Sequence, residues 1–235
     1  MRTFATATRA GVLALTSGAL LFTGVAAQGT ALAAPQAKPA KLTVAKYRDW
    51  LKNNDEAAAS IKLLKAFDKL PKAKQQKFVG YLQNRKVQEA YNVRTGGYIN
   101  RGGRGEKAYN KDVRFVADVK GVRKTTSSGA HITLTFTATE RIFNIPVITQ
   151  KTVLSYDFGS AVKSPKYKRS VTNLNGAVVI TPAKKDTIKV SGRNISATTT
   201  WKAKPLYKSV GTTPITKRQT ISTVNVKFNA WIGNR

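Results

Sequence analysis

The chain has 235 residues, with 41 Lys or Arg, 11 Asp or Glu and a single His, giving a formal net charge of +30 at pH 7. It has no cysteine, which excludes disulfides, cysteine-based metal sites and cysteine nucleophiles, so its core has to stand without staples. An excess of one sign this large repels itself within a fold and points to an anionic partner.

Met1 is followed by Arg2 and Arg9, an apolar run from Gly11 to Ala27, and Ala31-Leu32-Ala33. A positive start, an apolar middle and an A-x-A site are the parts of a secretory signal peptide, expected over residues 1–33. No other segment approaches the ~20 continuous apolar residues of a membrane-spanning helix. A secreted protein, extracellular or associated with the cell wall, meets wall teichoic acids, anionic lipid head groups and extracellular DNA, but not intracellular RNA. The exported chain retains about 200 residues, enough for one large domain or two small ones.

"APQAKPA" opens a Pro/Ala linker over residues 34–42, expected to be disordered. Thr43 is a candidate N-cap for a helix through "VAKYRDWLKNN", where Tyr47, Trp50 and Leu51 share one face. A second helix is predicted through "DEAAASIKLLKAFDKL", with Asp55 and Glu56 at its positive end and Ile61, Leu64, Phe67 and Leu70 as its buried stripe. Pro71 suits the first turn of a third, with Phe78, Tyr81, Leu82 and Val87 inward. These segments form a small helical unit over residues 43–92.

Five glycines then fall between Gly96 and Gly105, around "NRGGRGEK". Two arginines among glycines have the look of an RNA-binding RGG box, but such boxes work by repetition and this is one unit. The stretch lies where the apolar period changes from 3.6 to 2, the place for a domain boundary, and is expected to be a Gly/Arg-rich hinge over residues 93–110.

From residue 111 to 235 short alternating runs predict an antiparallel β-sandwich or open barrel, so the fold class is α+β. In "HITLTFTATERIF", Ile132, Leu134, Phe136 and Ala138 face one way and Thr133, Thr135, Thr137 and Thr139 the other. "VNVKFNAWI" places Val224, Val226, Phe228, Ala230 and Ile232 on one face. The turn "FNIP" folds two strands into a hairpin, and counting back from it sets His131 beside Asp157 or Phe158.

A hydrolytic centre on His131 and Asp157 would need a serine, with Ser155 or Ser160 nearest, and neither has a G-x-S-x-G elbow. Glu140 and Asp157, the acids of the hairpin, fall near its opposite ends, too far apart for paired-carboxylate chemistry. Phosphate-loop, H-E-x-x-H and dinucleotide motifs are absent. The expectation is a non-catalytic protein with no metal and no cofactor.

The basic residues are the remaining candidate site. "VKSPKYKRS" holds Lys163, Lys166, Lys168 and Arg169 around Tyr167, expected in a projecting loop; Lys184 and Lys185, with Lys189 after them, and the pair Lys217 and Arg218 extend the set. Lysines act on phosphate as point charges, which favours diffuse polyanion binding over readout of bases. The competing reading is an evenly solvated cationic surface.

The Ala/Gly-rich export signal, the cysteine-free chain and the segment "FDKLPKAKQQKFVGYLQNRKVQEA", followed by a Thr/Val-rich β region ending near a Trp, resemble small exported proteins of Streptomyces-type actinomycetes with no assigned activity. The charge points to binding of anionic envelope polymer; the resemblance brings in, as the second reading, an acidic secreted protein as partner. In the second case it would be an adaptor subunit of a secreted antibacterial toxin complex.

Overall fold

Thr43 starts the first helix as its side chain dictates: Oγ1 accepts from the backbone N–H of Lys46 at 3.3 Å. In the computed structural model, which describes residues 38–234, α1 (Val44–Lys52) buries Tyr47 and Leu51, and the half-buried Trp50 stacks on Tyr47. The expected signal peptide lies outside the described residues. α2 (Ala57–Asp68) buries Ser60, Leu63 and Phe67, so the expected stripe is corrected by part of a turn: Phe67 is inward, Leu64 and Leu70 are half-buried, and Ile61 is 55% exposed. Phe67 decides the rotation, because it packs on both Tyr47 and Phe78, at 5.4 and 5.2 Å between ring centres.

α3 (Lys72–Leu82) follows Pro71 and buries Gln75, Phe78, Val79 and Leu82. The Gln75 amide donates to the carbonyls of Leu70 at 2.8 Å and Phe67 at 3.3 Å, satisfying acceptors that the end of α2 leaves open. α4 (Arg85–Ala90) is capped by Asn84 and buries Val87 and Gln88. The stretch expected as a disordered linker is fixed where it is described. Leu42 is buried, its backbone is bonded at both N–H and C=O by the Gln83 amide at 2.9 Å, and the carbonyls of Pro39 and Ala40 accept from Lys208 and Ser209.

Among the described residues eleven antiparallel strands form two sheets packed face to face, N-terminal helices preceding them, so the fold is an α+β sandwich. One sheet runs β1 (Val93–Tyr98), β11 (Lys227–Asn234), β10 (Ile215–Val224), β9 (Asn194–Pro205) and β7 (Val178–Pro182), with β8 (Thr187–Ser191) also on β9. The other runs β2 (Gly103–Ala108), β3 (Val113–Thr126), β4 (Gly129–Ile142), β5 (Ile145–Phe158) and β6 (Val162–Asn173). Alternation in β4 holds as read: Ile132, Leu134, Phe136 and Ala138 are buried between the sheets. Phe143 and Asn144, at φ 49° and 65°, make the two-residue hairpin turn into β5, and the Phe143 ring is held against Tyr81 of α3.

Two strand assignments differ from expectation. "VNVKFNAWI" is broken by a turn at Asn225 (φ 54°), which leaves Val224 and Val226 exposed while Phe228, Ala230 and Ile232 face the core. "VKSPKYKRS" is strand β6, paired along β5, and not a projecting loop. Its Ser, Pro and Lys residues are tolerated because β6 is a sheet edge.

The Gly/Arg-rich segment is no hinge. It forms β1 and β2, which lie in different sheets and touch each other. Glycine is required where these backbones meet, since a methyl group on Gly105 would run into the Arg94 carbonyl; on β3, one on Gly121 would run into that of Ile99 in the turn between β1 and β2. The described residues accordingly form one unit. The helices share its core, closing one end of the sandwich through Tyr47 Oη donating to Leu174 O at 2.7 Å and Tyr91 packed on Phe115 at 5.0 Å. Limited trypsin digestion of the native protein is expected to spare Arg94 and Arg104, whose peptides are strand-paired; early cleavage at either would restore the hinge.

Candidate functional site

On β6, side chains alternate. Lys166 and Lys168 are exposed, as is Lys163 beside a local register shift opposite Ser155 to Asp157. Tyr167 turns inward, with its Oη 3.0 Å from Thr199 Oγ1 on β9, and burial pushes its pKa up. Arg169 forms an ion pair with Asp186, which also accepts from Thr199 Oγ1 at 2.9 Å. These two residues fasten one sheet to the other, a correction to their expected place among free polyanion contacts.

Lys217 is corrected more strongly. It is only 5% exposed, and its Nζ donates to Glu89 O at 2.7 Å and Asn234 Oδ1 at 2.6 Å. Its neighbour Arg218 is half-buried on the opposite face of β10, as strand geometry demands, so the pair does not act together.

What remains of the predicted set is exposed. β6 borders β7, β8 and β9, which sets the strand bearing Lys163, Lys166 and Lys168 beside the segment bearing the exposed Lys184, Lys185 and Lys189. Among the described residues, ion pairs join Arg48 to Asp68, Arg85 to Glu89, Arg104 and Arg114 to Glu106, His131 to Asp157 and Arg169 to Asp186; none uses a lysine. The lysines of this seam therefore present their charge to solvent without an internal partner.

His131 and Asp157 pair across β4 and β5 as counted from the hairpin, with Nδ1 2.8 Å from Oδ1. The pair is exposed on the open sheet face, between Lys124 on β3 and Lys163 on β6 in register. No hydrogen bond from His131 to a serine is present among the described residues.

The polar residue that sequence reasoning missed is Glu140. It continues the inward series 132, 134, 136, 138 and is fully buried. Oε1 lies 3.5 Å from the Gln88 amide and Oε2 has no partner. Burial pushes its pKa up to about 8, against the opposing pull of the Lys217 charge and the Gln88 bond. Burial likewise lowers Lys217 to about 8, with Glu140 and Glu89 opposing. Tyr91, Gln150, Trp201 and Lys217 surround a cavity of about 20 Å³ beside this acid, and Tyr91 Oη and Gln150 Oε1 also lack partners. That space matches roughly one water molecule.

No protein-family model matches the chain, and no curated protein is similar to it at a significant level. Among the described residues no helix is long and apolar enough to cross a membrane.

Proposed function

We propose that this is a secreted, cationic, non-catalytic binding protein that associates with anionic polymer of the cell envelope. The observation that carries the reading is the seam of exposed lysines along β6 and the β7–β8 side, none of them ion-paired. A polyanion gains there the Coulomb attraction that no internal acid supplies, and release of its counterions drives binding. Lysine heads on strand scaffolds set a spacing of charge without reading polymer sequence.

The β6 edge also argues against strand addition by a partner protein. Pro165 cannot donate to a new ladder, Ser164 has φ 50°, and lysines line the edge. The test is the salt dependence of binding to purified wall teichoic acid. For a handful of phosphate contacts, affinity is expected to fall about tenfold or more between low and physiological salt. Binding that is insensitive to salt defeats the proposal.

A further inference from the structure

Five turns meet at the end of the sandwich remote from the helices: residues 99–102, 127–128, 159–161, 192–193 and 225–226. Ile99 N–H donates to Val226 O and Val162 N–H to Gly192 O, both at 2.9 Å, tying the turns of the two sheets together. Most of the protein's large apolar side chains are buried, yet at this end Val122 is 52% exposed, Val224 54%, Val226 45% and Tyr98 44%. Cations stand among them. Arg101 and Lys227 lie over the Tyr98 ring at 5.8 and 5.5 Å, Arg193 lies over Phe158 at 4.8 Å, and the exposed Arg123 lines a hollow with Tyr98, Ile99 and Val226. Asp157, exposed and bonded to His131, is the one acid in residues 98–102, 121–130, 157–163, 189–194 and 223–228.

We infer that this tip docks on an anionic lipid bilayer, with Val122, Val224 and Val226 entering the headgroup boundary and Arg101, Arg123, Arg193 and Lys227 meeting lipid phosphates. The surface uses residues other than the lysine seam and goes beyond polymer binding. A hydrated polyanion attracts the cations but gives nothing to the valines, whereas a bilayer offers negative charge above an apolar layer. Val226 sits in the β10–β11 turn and Val224 closes β10 beside it, so both reach a flat surface without rearrangement, with Val122 farther back on β3. Tyr98, flanked by cations and part exposed, has the amphipathic character suited to the membrane–water interface.

The absence of cysteine permits a direct test. Val226→Cys carries a polarity-sensitive dye at the tip, and Ile61→Cys carries it on α2 at the helical end. With vesicles of phosphatidylcholine and phosphatidylglycerol, the dye at 226 is expected to shift to the blue and the dye at 61 to stay unchanged, with no shift at either on phosphatidylcholine alone. The variant Val122→Ser, Val224→Ser, Val226→Ser should partition about tenfold less onto the mixed vesicles. Its thermal midpoint should be unchanged, because these side chains are exposed. Equal shifts at both dyes, no shift, or unchanged partition of the serine variant overturns the inference. A shift with soluble polyglutamate but not with vesicles makes the tip a protein-docking surface and overturns it as well. Teichoic acid binding, measured on the same variants, fails or survives independently.

Discussion

Gly105→Ala is expected to lower the unfolding free energy by on the order of 3 kcal/mol, a fall of roughly 6–12 °C in the thermal midpoint for a chain of this size. The added methyl group meets the carbonyl of Arg94, a backbone atom of β1 that cannot rotate aside, so β1 and β2 have to part. Gly80→Ala provides the contrast. Gly80 lies exposed in α3 with nothing within 4 Å of a new Cβ, and there the same substitution should stabilise by up to about 1 kcal/mol through helix propensity. Opposite signs at the two glycines, read by calorimetry, follow from a locked contact between the sheets. A neutral result at Gly105 is what a hinge would give.

The second large effect is a dependence of stability on pH that Glu140→Gln removes. Folded Glu140 titrates at about 8 against an ordinary 4.5, so between those values the folded chain holds a proton that the unfolded chain has released. Stability from this group is therefore greatest below about pH 4.5 and is lost as pH rises to 8, by an amount on the order of a few kcal/mol. Lys217, lowered from 10.5 to about 8, acts in the opposite sense above pH 8, where the unfolded chain holds the extra proton and stability recovers. The wild-type midpoint should thus pass through a minimum near pH 8. Gln retains a polar amide beside Gln88 and cannot titrate, so the descending limb should flatten. Parallel midpoint profiles for the two proteins between pH 5 and 8 would place the titrating group elsewhere.

The parts of the fold that were legible in the sequence are those in which one local rule acts alone. Thr43 has a capping hydroxyl, β4 has strict alternation, and the Phe143-Asn144 turn fixes the register that brings His131 to Asp157. Glycine is ambiguous by nature, since it serves open loops and close backbone contacts alike, and only the crossing of β1 and β2 decides between them at Gly105. An edge strand such as β6 needs alternation on neither face, so its lysines and Pro165 read as loop. Glu140 and Lys217 obey the period of their strands, but their charge argued for solvent. What keeps them inside is the shelter of Gln88, Glu89 and Asn234, from segments distant in the chain. The same distance hid the ion pair of Arg169 with Asp186, which removes that cation from the candidate site. The seam itself emerges only when β6 is laid beside β7 and β8.

On the proposed function, charge at this seam, and not charge in general, holds the polymer. The measurement that tests it most directly is a titration of purified wall teichoic acid at low salt with two variants of equal charge. One changes Lys163, Lys166, Lys168 and Lys184 to Gln; the other changes Lys62, Lys65, Lys72 and Lys74, which are exposed on α2 and α3. All eight side chains are exposed, so both thermal midpoints should stay close to that of the wild type. The seam variant is expected to bind about tenfold more weakly or worse, and the helical variant to lose distinctly less. Equal losses would contradict the account, because they would make the lysines a uniform cationic coat with no binding site.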